Sequence, residues 1–238
     1  MHAVILAGGK GIRLRPYTTC LPKPLVPIGE EHSIMEIALT QLAMSGFERV
    51  TLAIGHFGDL IRSYIGDGSR WGLRVDYTCP EEVPLGTIGP VLRVLDRLPE
   101  DFLIMNGDVL TDLNYTDLMR QHQESGAPLT VATYRRKVQI DYGVLTTREG
   151  EVVDFTEKPS IGYQVSMGVY ACAKRALAKY TPGLPFGFDE LVLDLLAQRD
   201  PPHEYAFGGY WFDIGRPEDY DRANADFGII RASLLRET

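Results

Sequence analysis

The sequence predicts an α/β protein: a mostly parallel central sheet with helices on both faces, followed by a strand-rich portion. Three observations carry that expectation. Short apolar segments alternate with helix-patterned ones through the first half, as strands joined by right-handed crossover helices do. From about residue 129 onward, strand-like segments lie close together. The chain has 238 residues, 45% hydrophobic and 24% charged, near the average of a soluble globular protein.

Residues Ala3 to Ala7 form the first expected strand, apolar and ended by Gly8-Gly9. Ser33 is placed to cap a helix running to about Ser45, with Ile34, Ile37, Ala38, Leu42 and Ala43 on one face and Gly46 as its stop. Val50 to Ile54 reads as the next strand and Asp59 to Ile65 as a short helix. Leu73 to Thr78 alternates as a strand, Gly89 to Leu98 reads as a helix, and Phe102 to Met105 as a fourth apolar strand. In the second half, strands are expected at Leu129 to Tyr134, Gly143 to Thr147, Val152 to Phe155 and Gln164 to Ala171. Helices follow at about Ala173 to Tyr180, Gly187 to Gln198 and Pro217 to Phe227. No Pro/Gly/Ser-rich linker, internal repeat or hexapeptide repeat interrupts the chain, so residues 1–238 read as one domain with halves of about 1–125 and 126–238. Sheets of this Rossmann-like kind place ligands beyond the carboxyl ends of their strands.

Composition excludes several classes. No apolar stretch approaches the ~18 residues of a membrane span. The N-terminal apolar run is short and lacks a preceding basic segment, so no signal peptide is expected. Cys20, Cys79 and Cys172 are odd in number and widely spaced, which suits a reducing cytoplasmic setting and offers no metal-ligand cluster. A net charge of −8 argues against nucleic acid as a partner. Yet residues 1–29 hold Lys10, Arg13, Arg15 and Lys23 and no acid, leaving 20 basic residues against 32 acidic ones elsewhere, a net −12. A cationic segment inside an acidic chain points to a site for a small anion. Gly8, Gly9 and Gly11 lie within it, where a tight turn after a strand lets backbone N–H groups face a phosphate. The spacing fits neither a Walker A loop nor a dinucleotide fingerprint, whose third glycine would stand at Leu14.

The longer string Leu6-Ala7-Gly8-Gly9-Lys10-Gly11-Ile12-Arg13-Leu14, with Pro16, Thr18 and Pro22-Lys23-Pro24-Leu25, resembles the signature of the sugar-1-phosphate nucleotidylyltransferases. The match continues through Leu85-Gly86-Thr87, Asn106-Gly107-Asp108, Tyr142-Gly143-Val144, Glu157-Lys158-Pro159 and Trp211-Phe212-Asp213-Ile214-Gly215. The resemblance implies attack by a sugar 1-phosphate oxygen on the α-phosphorus of a nucleoside triphosphate (NTP), with release of pyrophosphate. A phosphate nucleophile arrives ionised, its second pKa being ~6, so the site needs positioning and charge neutralisation and no protein base. Accordingly, the five histidines fit no nucleophile-and-base pattern.

The same resemblance assigns roles. Arg13 would grip the triphosphate and Lys23 would neutralise charge near the reacting centre. Asp108 and Asp213 would hold Mg²⁺. Leu6, Ala7, Gly8, Gly9 and Gly11 would line the phosphate loop, with Leu85 and Gly86 toward the nucleoside; apart from the resemblance, the upstream carboxylate Glu82 offers an acceptor to a guanine edge, whose N1 and N2 donate. Asn106, Gly143, Glu157, Lys158 and Ser166 would meet the sugar phosphate. Lys10 and Arg15 occupy variable positions and read as solvated cations. Two departures stand out: Ile12 replaces a common Thr or Ser, and Ser166 stands where many relatives carry Asn. The short chain and its Leu-Gly-Thr segment resemble the branch that uses GTP with a mannose-like or heptose 1-phosphate, which the resemblance therefore favours. The alternatives are a glucose-1-phosphate thymidylyl-, uridylyl- or cytidylyltransferase, or a catalytically silent protein that senses nucleotide sugars. The resemblance leaves oligomeric state open, a homo-oligomer included.

Overall fold

The computed structural model describes residues 1–78 and 84–235. Its first half contains the strands β1 (His2–Ala7), β2 (Pro27–Ile28) and β3 (His32–Ser33), helix α1 (Ile34–Met44), strand β4 (Arg49–Ile54) and helix α2 (Gly58–Ile65). Strand β5 (Arg74–Tyr77), helix α3 (Gly89–Leu92), strands β6 (Asp101–Asn106) and β7 (Val109–Thr111), and helix α4 (Tyr115–Ser125) complete it. Then come β8 (Leu129–Gln139), β9 (Val144–Arg148), β10 (Glu151–Thr156), β11 (Ser160–Ala173), α5 (Lys174–Leu177), α6 (Phe188–Ala197), β12 (His203–Phe207), β13 (Trp211–Asp213) and α7 (Pro217–Leu235).

Seven strands share one sheet in the order β12-β8-β11-β6-β1-β4-β5. β12 is parallel to β8, and β6, β1, β4 and β5 are mutually parallel, while β11 runs antiparallel to both β8 and β6. The sheet is thus mostly parallel, and one reversed strand joins its two parallel blocks.

Side-chain alternation explains the layering. In β1, Ala3, Ile5 and Ala7 face a core shared with Met35, Leu39 and Leu42 of α1 and Ile61 and Ile65 of α2. Val4 faces the opposite core, with Ile88, Val91 and Leu92 around α3 and Leu191 and Leu195 of α6. β6 divides likewise, Leu103 and Met105 to the first core and Phe102 and Ile104 to the second. Continuous apolar runs of this kind belong to strands buried on both faces. A third cluster seats Leu14, Val26 and Ile28 against Ile214, Ala223 and Phe227, so α7 packs beneath the glycine-rich segment.

Several elements depart from the sequence expectation. The expected helix over 89–98 is broken into α3 and a 3₁₀ turn at Leu95–Arg97. α5 is a single turn, and α7 continues to Leu235. α4 and β12 were not anticipated. The Ser33 cap forms as expected: its hydroxyl accepts from the Glu36 N–H at 3.2 Å, while Glu36 accepts from the Ser33 N–H at 2.8 Å.

Candidate active site

A cavity of about 890 Å³ opens at the carboxyl ends of β1, β4 and β6. Its wall includes Leu6, Ala7, Gly8, Gly9 and Lys23 from the glycine-rich segment, Leu85 and Gly86, and Asn106 to Asp108. Residues brought together from three separate stretches of sequence therefore share one concave surface. Lys10 also lines it, and is exposed as expected of a solvated cation. Glu82 lies outside the described residues.

Local structure fixes the loop. Gly11 adopts φ 61°, a left-handed conformation that glycine takes without penalty, and leads into a 3₁₀ turn over Ile12–Leu14. Thr18, buried, donates its hydroxyl to the Gly11 carbonyl at 2.7 Å. Leu14 is fully buried and anchors the turn from below. Pro22 and Pro24 are both buried, so Lys23 projects from a short 3₁₀ turn whose flanks cannot shift freely.

Lys23 Nζ donates to Asp108 Oδ2 at 2.5 Å, with 11% of the lysine side chain and 24% of the aspartate side chain exposed. The other oxygen, Oδ1, is buried and has no hydrogen-bond partner. Asp213 stands on the β7–β13 ribbon, paired in register with Val109, and the next residue's N–H donates to the Asp108 carbonyl at 3.1 Å. Partial burial, with the nearby Asp108 carboxylate, pushes the Asp213 carboxyl above the usual carboxylate range; Lys23 and Arg13 pull the other way. Arg13 does not line the cavity wall. Its guanidinium sits at the Asp213 side, beside Gly215.

This geometry suits a divalent cation bound jointly with a ligand. Among the described residues no group of three or more His, Cys, Asp or Glu is poised to hold a metal. Asp108, with an unpartnered buried oxygen, and Asp213 supply two hard oxygen donors, which suits an ion that fills its remaining positions with water and substrate phosphate.

Of the five sugar-side candidates only Asn106 reaches the cavity wall; Asn106 and Ser166 neighbour each other across Gly168, and Gly143 neighbours Glu157. Gly168 takes φ 75°, and a methyl group added there would lie 2.6 Å from the Asn106 amide, so the chain passes tightly over Asn106. Ser166 is held just behind, accepting from the Gly168 N–H at 3.3 Å and donating to the Tyr170 hydroxyl at 3.0 Å. Gly143 lies beside Glu157: a Cβ there would come within 3.1 Å of its Oε2 and 2.5 Å of the Phe155 ring. Gly143, Glu157 and Lys158 are exposed around the β9–β10 hairpin, off the cavity wall.

Gly55 and His56, at the end of β4, are cavity residues that sequence reasoning missed. A Cβ on Gly55 would lie 2.7 Å from the Gly8 carbonyl oxygen, so two strand ends touch backbone to backbone. Gly55→Ala is therefore expected to lower unfolding free energy by about 1–3 kcal/mol, as overpacking does, and to raise the KM for nucleotide. Urea unfolding and steady-state kinetics check both effects. The available signal was a glycine directly after a strand, which alone names no role.

The family model for nucleotidyl transferases matches residues 2–228. The chain belongs to that family. It is 34% identical over 245 residues to a mannose-1-phosphate guanylyltransferase of Mycobacterium tuberculosis, covering 99% of this chain and 67% of the relative. It is 30% identical over 256 residues to a UTP–glucose-1-phosphate uridylyltransferase of Synechocystis, covering 100% of this chain and 64% of the relative. The chain thus spans about two thirds of the length of these curated relatives. Among solved structures it resembles HddC from Yersinia pseudotuberculosis complexed with GMP-PN, with 25% identity and a TM-score of 0.72, covering 95% of this chain and 99% of that one. Family membership accounts for the continuity of the motifs from the first strand to α7.

Proposed function

We propose that this chain transfers a nucleoside monophosphate from an NTP to a sugar 1-phosphate, giving a nucleotide sugar and pyrophosphate. The observation that carries this reading is the Lys23–Asp108 pair on the cavity wall beside the glycine-rich loop, in a chain that the nucleotidyl transferase family matches over 2–228.

The residues do the work of positioning. Backbone N–H groups around Gly8, Gly9 and Gly11 would cradle the triphosphate, while Lys23 and Arg13 neutralise two anions brought into contact. Asn106, Ser166, Gly143, Glu157 and Lys158 would orient the sugar phosphate for in-line attack. Asp108 and Asp213 would hold Mg²⁺, which when bound draws charge from the phosphate oxygens.

Within this reading GTP with a mannose-like or heptose 1-phosphate is favoured, supported by the mycobacterial relative and by the GMP-PN complex of HddC. The cytoplasm is the proposed location. The Synechocystis relative supports a second reading, UTP with glucose 1-phosphate. A matrix of nucleoside triphosphates against sugar 1-phosphates, scored by pyrophosphate release, decides between them. GTP with mannose 1-phosphate or a heptose 1-phosphate should give the highest kcat/KM. The highest value with UTP and glucose 1-phosphate would favour the second reading. Binding of nucleotide sugar without release from any pair would instead identify a sensor.

Glu157→Gln separates the two halves of the site. It retains shape but loses a charge-assisted acceptor, so the KM for sugar 1-phosphate should rise about 10- to 100-fold, matching ~1.5–3 kcal/mol. The KM for nucleotide should move little. An effect confined to the nucleotide KM would place Glu157 in the other half.

A further inference from the structure

A second recess, of about 240 Å³, lies at the opposite end of the sheet, where β1, β4 and β5 begin. It is lined by His2, Arg49, Thr51, Arg74, Asp76, Val94 and Arg97. Sheet register places three of these in a single row: His2 pairs with Arg49, and Arg49 with Arg74. Thr51 and Asp76 pair one step further along the same face. Arg97 reaches the recess from the 3₁₀ turn after α3, so a fourth segment completes the wall.

The row is unfavourable on its own terms. Like charges directly opposite on neighbouring strands destabilise a sheet, and Arg49 faces Arg74 with no acid between them. Asp76 offsets one guanidinium, its Oδ2 lying 3.6 Å from Arg74 Nε. Among the described residues no carboxylate lies within ion-pair distance of Arg49 or Arg97. His2 is 5% exposed and shares a 2.9 Å hydrogen bond with Thr51 Oγ1. Burial, then Arg49, push the His2 imidazole down to about 4, so it is neutral beside the arginines. The recess carries three guanidiniums against one carboxylate in a chain of net charge −8. Sequences break a local rule of this kind most often at functional or strained sites.

We infer that this recess is a binding site for a phosphate-class anion, separate from the candidate active site. Its volume falls below the ~300 Å³ at which drug-sized pockets begin, so it suits a phosphate or diphosphate group without a nucleoside. Guanidinium groups match such oxygens bidentately.

His2 supplies a local probe, because its imidazole lies in this recess and far from the cavity at the other end of β1. Its ring resonances should be followed by NMR at pH 7 while sodium phosphate or sodium pyrophosphate is added to the full chain, against sodium chloride at matched ionic strength. The same titrations are repeated on Arg49→Gln/Arg97→Gln. A saturable His2 shift with either phosphate anion is expected, weakened at least tenfold in the double variant, whose kcat without added anion stays unchanged. Saturation at lower pyrophosphate than phosphate concentration assigns the site to diphosphate; the reverse assigns it to free phosphate. A shift that matches chloride, fails to saturate, or survives intact in the double variant would overturn the inference. Thermal melts of both proteins verify that the variant is folded.

Discussion

Asp213→Asn is expected to raise the melting temperature while lowering kcat at least ~10²-fold. The two effects share one cause. Partial burial and the Asp108 carboxylate raise the Asp213 carboxyl, so ionising it works against the folded state. A raised carboxyl contributes stability that is lost as pH climbs from the ordinary aspartate range through its folded value. Once ionised, Asp213 carries that cost in the folded state, and an uncharged amide of the same shape escapes it. Activity would fall because, on the proposed function, a bound divalent ion would lose one of its two carboxylate ligands. Asp108→Asn should lower kcat to a similar degree yet lower the melting temperature, because it removes the partner of Lys23, whose side chain is largely buried. Stability measured from pH 4 to 8, beside pyrophosphate-release kinetics, tests the contrast. A less stable Asp213→Asn, or one that keeps full activity, would remove Asp213 from this role.

Lys23→Ala and Arg13→Ala should each cost about 10²- to 10³-fold in kcat/KM, or ~3–4 kcal/mol of transition-state stabilisation. Their routes differ. Lys23 bonds Asp108 on the cavity wall, so its removal leaves a carboxylate without a partner and, on the proposed function, would also leave a substrate phosphate without a cation. The double variant Lys23→Ala/Asp108→Asn should therefore lose less than the two single losses multiplied together, as residues acting as a unit do. Arg13 stands beside Gly215 on the Asp213 side, and Arg13→Lys should recover only part of the loss, since a point charge cannot replace a planar fork. Strict multiplicativity of the first pair would show that Lys23 and Asp108 act independently.

The sequence reading recovered much of what local pattern encodes. Both-face-buried strands such as β1 and β6 announce themselves as short apolar runs, and α1 carries its start signal in Ser33 and Glu36. Helix α4 was legible and missed, since its buried residues follow Tyr115 at the i+3, i+4 and i+7 positions of an amphipathic stripe. Only Tyr115, Leu118, Met119 and His122 are buried, and its cap is an asparagine, whose Asn114 oxygen accepts from the Asp117 N–H. The edge strand β12, with one buried residue in five, offered no alternation to detect. The break after α3 was hidden because apolar spacing is similar in an α-helix and in a 3₁₀ turn. At the site, the glycine-rich loop was legible because its residues are contiguous. Gly55, His56 and the wall position of Lys10 were not, because each depends on which strand end lies beside another. The sugar-side pairs share that difficulty: the loop connections that set Gly143 beside Glu157 leave no periodic trace.

The reversed direction of β11 decides how the protein can be divided. This strand hydrogen-bonds to β6 of the first half and to β8 of the second, and it arrives only after the chain has passed through the β9–β10 hairpin. Severing the chain at the exposed Gly126 turn would leave β6 with a raw edge in one fragment and β11 with a raw edge in the other. Unpaired edges of that kind recruit whatever strand is available. Fragments 1–126 and 127–238 should therefore aggregate when expressed separately and complement each other when co-expressed, which co-purification and pyrophosphate release would measure. A cut at this turn therefore cannot give two halves whose strands are all paired.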